Sequence, residues 1–460
     1  MEIKEKLIRV LKHPLFLIIL LVGSTYNVWY SYLGKGEKGQ FVSDVNQYYS
    51  FLPGQLIHND LTFSYPNDYW LIKDENGNGV AKVTMGMALM YTPSFLVGHS
   101  VALLSDKYEA DGYSKPYKKA NHAGTIIYML IAVYFLHKSL RFFFSKGIAY
   151  ITTICIFFGT NYFFYVTAWG ELAHSYLFLL FSLIIYLSIK WHEDFKAYRF
   201  LLIAFLCGLA TLIRPTEIVS ILFPILYGIH NKESLRYKLN LLGKNWVYLL
   251  LGVIVFFIPI IPQLFYWKYI TGNWIFYSYG SEESFFFGQP KIMHVLFSYR
   301  KGLLIYTPII SFALIGFYFM KHKLKAQIIP TSIIFCVSLF LVSSWWCWWF
   351  GGSFGMRAMV QYYVFLAFPM AAFFEYMFQK KYLKWGTLVI SCAFIWLNIV
   401  QSLQYTRATI HWDSMTKDSY WAIFGKLSYT AEEAATYNNS LQTPDYDKAK
   451  KGEDEYKWEW

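Results

Sequence analysis

Residues 41–63 read FVSDVNQYYSFLPGQLIHNDLTF. The stretch is polar, laced with aromatics, and carries one early carboxylate, Asp44, just after the first apolar run of the chain. Outward from it in both directions lie apolar runs of about 20 residues with few charges, each long enough to cross roughly 30 Å of hydrocarbon. The 460 residues are 56% hydrophobic and only 15% charged, where a soluble domain averages about 25% charged. These features predict an all-α polytopic membrane protein whose polar segments are loops held against the bilayer.

The formal net charge of +12 invites a nucleic-acid reading. Lys and Arg, however, sit in short clusters between apolar runs, as membrane topology requires, and form no single surface stripe. No nucleic-acid partner is expected; membrane lipids are. Trp and Tyr at the run ends (Trp29, Tyr30, Trp169, Trp246, Trp267) suit the membrane interface. The five cysteines have no metal-ligand spacing and read as small buried hydrophobes.

Basic clusters set the expected orientation. Lys4, Lys6, Arg9 and Lys12 belong in the cytoplasm, so a first span over about 14–33 exits outward, as a retained signal anchor. Residues 34–122 then form a first extracytoplasmic loop with interfacial helices, in which 84–104 lies in the interface or re-enters. Further spans are expected at about 123–140, 148–168, 172–190, 200–213, 216–230, 246–267, 302–320, 327–345, 358–379 and 385–403. That makes about 11 crossings, or 12 if 84–104 spans, within a transmembrane domain over 1–403. Residues 268–301 form a second large outer loop, and 404–460 a mixed-charge extracytoplasmic tail.

On this topology the unusual polar residues gather on the outer side: Asp44, Glu171, His174, Arg214, Glu217, Arg300, Lys301 and Arg357. Charges near a bilayer are costly and tend to mark function. Asp44 reads either as the cap of a surface helix beginning SDVNQYY or as a general base. Glu171 and His174 share a helix face, which suits an acceptor site or a structural pair; two ligands do not make a metal site. Arg214, in TLIRPTEIV, either pairs with Glu217 or holds a phosphate. Arg300, Lys301 and Arg357 offer further phosphate contacts. Phosphate-cradling glycine motifs for nucleotides are absent.

The order of an early SD in the first loop, YTPSFL, GELAHS, IRPTE, YRKGLLIYTP and GGSFGMR resembles the GT-C glycosyltransferase superfamily, over about 14–400. Within it the chain looks like the bacterial dolichyl-phosphate-mannose-protein mannosyltransferase-like proteins and, more distantly, the lipid A aminoarabinose transferase. The resemblance implies a GT-C-like bundle with a helical first outer loop, in a bacterial inner membrane, N-terminus cytoplasmic and C-terminus outside. It implies an inverting transfer of a hexosyl or mannosyl-like group from a polyprenyl-phosphate donor to a lipid, glycan or protein acceptor. Asp44 matches the catalytic acid of the first loop, and Glu171 a second acidic residue. Arg214, Arg300, Lys301 and Arg357 would balance the departing phosphate, while Tyr48, Tyr49 and His174 would shape the substrate pocket. Val45 follows Asp44 where many relatives carry a second carboxylate, so no cofactor is assigned and a divalent metal is left open. The competing class is a transporter or flippase of lipid-linked glycans, which would place its charges near the midplane of repeated, broken helices.

Overall fold

The computed structural model describes residues 21, 23, 41, 43–63, 71–73, 79–280 and 282–453. The expected first span over 14–33 lies outside these apart from Leu21 and Gly23, as do Asp68, Asp74 and Glu75 of the first loop. The described chain is mostly helical. After α1 (Ser43–Tyr49), two short antiparallel strands, β1 (Leu71–Lys73) and β2 (Gly79–Ala81), pair Ile72 with Val80. This hairpin corrects the all-α expectation. Its strands carry β-branched Ile72 and Val80, and Val80 is fully buried.

The bundle follows as α2 (Gly86–Leu103), α3 (Lys115–Arg141), α4 (Lys146–Phe158), α5 (Tyr162–Thr167), α6 (Ala173–Glu193) and α7 (Ala197–Ile213). A 3₁₀ turn (Pro215–Ile221) leads to α8 (Lys232–Lys244), α9 (Trp246–Phe257) and α10 (Ile261–Thr271). Next come α11 (Ile310–Lys323), α12 (Lys325–Ser344), a second 3₁₀ turn (Arg357–Tyr362), α13 (Tyr363–Met377) and α14 (Lys381–Thr406). Helices occur at every expected span from 123 onward. Among the described residues five are long and apolar enough to cross a membrane, or six if α8 and α9, bent by 80°, are taken together. Four more segments are shorter apolar helices: Lys146–Phe158, Ala197–Ile213, Pro215–Leu226 and Ile310–Lys321.

Side-chain contacts give the helix directions. Thr125 meets Tyr176 at 2.9 Å and Phe135 meets Tyr186, so α3 and α6 run parallel. The Tyr128 hydroxyl donates to the Met90 carbonyl, and Ser94 to Asn121. Hence α2 runs antiparallel against the first half of α3, residues 117–128. The basic turns collect at the far end of α3 and α6. Lys323 pairs with Glu375 at 2.5 Å and lies over Phe144, Lys190 lies over Phe142, and Arg199 donates to the Lys190 carbonyl.

α13 is apolar on every side and buries each residue from Tyr363 to Phe374, so it is packed in protein rather than lipid. Its neighbours approach through glycine. A Cβ on Gly316 of α11 would stand 1.9 Å from the Pro369 carbonyl of α13; elsewhere in the bundle, one on Gly208 of α7 would stand 2.0 Å from the Phe256 carbonyl of α9. In lipid, where apolar surface gives helices no reason to associate, such close backbone contact supplies the packing attraction. The carboxyl-terminal region folds into α15 (Lys417–Ile423), α16 (Ala431–Ser440) and α17 (Tyr446–Lys450). The first two start with a capping box, at Thr416 and Thr430. Tyr420 of α15 accepts from Gln401 of α14 at 2.8 Å.

Gly316→Val should force α11 and α13 apart, at roughly 1–3 kcal/mol or more. The thermal midpoint of detergent-solubilised protein checks this; an unchanged midpoint would contradict the close contact.

Candidate active site

Pro215 disfavours helical geometry at the residue before it. Arg214 is accordingly extended (φ −147°, ψ 122°), and it ends α7. The break leaves its guanidinium over the Phe350 ring, 5.6 Å from the centroid. Phe350 belongs to a tight loop in which Phe350, Gly351 and Gly355 all have positive φ. At Gly355 a Cβ would also meet the Tyr306 Cβ at 3.0 Å, so glycine is required twice over. The loop is held from below, where Asn161 donates to the Phe354 carbonyl at 3.0 Å and Tyr165 accepts from its N–H at 2.9 Å. It delivers Arg357 to the start of the second 3₁₀ turn.

Across from Arg357 stands Asp44, in the first turn of α1. The Arg357 Nη1 to Asp44 Oδ2 distance is 3.5 Å, with Asp44 40% and Arg357 18% exposed. The expected helix forms, but it is not a surface helix: Val45 to Tyr49 are buried, and its carboxylate faces a basic side chain. At this separation and exposure the pair is a loose one. Tyr48, one turn further along α1, lies within electrostatic reach of Asp44, Arg214, Tyr279 and Arg357. Burial first, and then the Asp44 charge, push its phenol above the ordinary range, so it remains a neutral hydrogen-bonding group. Tyr279, from the second large loop, is likewise raised by burial, with the nearby Arg214 pulling it down.

Beneath the arginines is a buried hydrogen-bonded chain. Glu217 accepts from Gln361 at 3.0 Å and from the Tyr362 hydroxyl at 2.7 Å, and Gln361 meets His174 Nδ1 at 2.9 Å. Of the two readings of Arg214, the direct pair with Glu217 is therefore not formed. Among the described residues Arg214 has no carboxylate within ion-pair distance.

The structure brings Asp44, Tyr48, Arg214 and Arg357 together and sends the other sequence candidates elsewhere. Glu171 is buried 3.7 Å from His122, and Tyr91 donates to its carbonyl. His174 serves the chain under the arginines. Tyr49 donates to the Gly112 carbonyl at 2.5 Å and stacks on Phe41, holding the first loop together. Arg300 and Lys301 are buried in a separate network: Arg300 donates to the Asp413 carbonyl and Lys301 to that of Ser353. Burial holds Lys301 down to about 7, against the opposing pull of Asp413. Residues 411–415, HWDSM, are structural: the Asp413 carboxylate takes bonds from Ser414 and Tyr446. Tyr279, Phe350, Gln361 and Tyr362 were not singled out by sequence; the glycines of GGSFGMR (Gly351, Gly352 and Gly355) are the local signal for the tight loop. Among the described residues no three His, Cys, Asp or Glu side chains gather as a metal site.

The family model for dolichyl-phosphate-mannose-protein mannosyltransferase matches residues 119–267. Among solved structures the chain is similar to ArnT from Cupriavidus metallidurans bound to undecaprenyl phosphate. Identity is 12%, the TM-score is 0.51, and the match covers 88% of this chain and 67% of that one. No curated protein matches the chain by sequence.

Asp413→Asn removes a fully buried carboxylate that takes bonds from Ser414 and Tyr446 and lies within electrostatic reach of Lys301. Breaking a buried charge cluster costs roughly 3–5 kcal/mol, so the thermal midpoint should fall steeply. A midpoint unchanged from wild type would show that the cluster carries no such load.

Proposed function

We propose, for a chain whose fold and family segment support membership of the GT-C glycosyltransferase superfamily, that it transfers a hexosyl or mannosyl-like group from a polyprenyl-phosphate donor. The acceptor is a hydroxyl on a lipid, glycan or protein. The observation that carries this reading is the meeting of Asp44 with Arg357, with Arg214 and the phenols of Tyr48 and Tyr279 close by. In the proposed reaction the acceptor oxygen attacks the anomeric carbon as Asp44 takes its proton. The bond from that carbon to the phosphate oxygen breaks on the opposite side, giving inversion, and polyprenyl phosphate departs with its charge held by the two guanidinium groups. Planar forks that stay charged at any physiological pH suit that leaving group better than lysine.

Arg300 and Lys301 act in this reading through the loop they hold, and Glu171 through its buried pair with His122. The orientation follows from the charge asymmetry. The basic turns near Lys190 and Lys323 lie at the end opposite Asp44, which supports, by the positive-inside rule, a cluster on the extracytoplasmic side. About 11 crossings, with α2 in the interface, fit that alternation, and the bacterial inner membrane is the proposed location.

Asp44→Asn should lower transfer from a polyprenyl-phosphate sugar by on the order of 10²–10⁴-fold, with an unchanged thermal midpoint. Full transfer activity in the variant would reject Asp44 as the base.

A further inference from the structure

Each of the two arginines stands at the start of a 3₁₀ turn. Arg214 immediately precedes one 3₁₀ turn (Pro215–Ile221), and Arg357 opens another (Arg357–Tyr362). Each side chain therefore takes its position from its turn. The two turns are joined by one carboxylate. Glu217, in the first, accepts from Gln361 at 3.0 Å and Tyr362 at 2.7 Å, both in the second. Glu217 is 2% exposed and Gln361 1%, so neither bond competes with bulk water.

The chemistry of the groups orders the whole chain. An ionised carboxylate only accepts, so the Gln361 amide nitrogen must face Glu217 and its oxygen must face away. That oxygen meets His174 Nδ1 at 2.9 Å, so Nδ1 carries the hydrogen. His174 is the second residue of α6, which anchors both turns to a long buried helix. Phosphate-binding forks depend on such support, because a shift of about 1 Å in a positioning group can cost on the order of a hundredfold.

We infer that Glu217 is a positioning residue, a strut that fixes the spacing between the Arg214 and Arg357 guanidinium groups so that both engage one phosphate. This rests on the phosphate-binding reading above. Glu217 itself need touch no substrate; it acts through Gln361 and Tyr362.

The test is the affinity of the purified full-length protein for undecaprenyl phosphate, beside the KM and kcat of transfer. Glu217→Ala and Gln361→Ala should each weaken binding and raise the donor KM on the order of tenfold to a hundredfold, with a smaller change in kcat. Glu217→Gln, which keeps one acceptor oxygen, should fall between these and wild type, and serves if the alanine variant fails to fold. A strut also predicts non-additivity: Arg214→Ala should cost less in the Gln361→Ala background than in wild type, whereas a general packing defect would add. If Arg214→Ala and Arg357→Ala leave the affinity unchanged, the phosphate reading itself fails and the strut with it. If those two weaken binding while Glu217→Ala, Glu217→Gln and Gln361→Ala do not, or the effects simply add, the strut alone is overturned.

Discussion

Glu217 holds the two broken ends of the bundle together, and most of the site geometry depends on it. A carboxylate taken out of water must find donors, and a bilayer supplies none. Gln361 and Tyr362 supply them here, and by doing so they fix where the second 3₁₀ turn begins relative to the first. His174 extends the same constraint into α6. The apolar packing of α13 and the glycine contacts at Gly316 and Gly208 bring the helices close. The polar bonds then decide how their ends are registered.

The described part of the molecule is electrically lopsided. One end collects lysines and arginines that satisfy carbonyls, aromatic faces and Glu375. The other presents Arg214 beside Arg357, whose ion-pair partner Asp44 is part-exposed and only loosely held. The first end has its charges spent on structure, while the second keeps electrostatic capacity for a ligand.

The fold was legible because lipid punishes exceptions. GELAHS, IRPTE and GGSFGMR stand out as polar breaks in apolar runs, and the structure brings all three to one place. Their partners were harder to see. Asp44 and Arg357 lie far apart in the chain, and nothing in either local sequence announces the other. Arg300 and Lys301 read just as Arg357 does, as basic residues bordering an apolar run. Only the packing of the carboxyl-terminal region over them shows that their charge is taken up by Asp413 and Ser353. Tyr279 and Phe350 were hidden among 39 tyrosines and 41 phenylalanines, most of which serve packing or the interface. The β1–β2 hairpin was too short for a period-two pattern to register.

The carboxyl-terminal region was expected to be a tail, yet Asp413 is fully buried and Tyr420 nearly so. Its polar contacts run to Arg300, to the Ser353 N–H and to Gln401, all in the bundle. A segment whose interior is completed by another part of the chain has no finished core of its own. Residues 409–453 are therefore not a separable module. Excised, they would expose an acidic heart and an aromatic flank with nothing to cover them, and the parent bundle would be left with an open roof above its two buried cations.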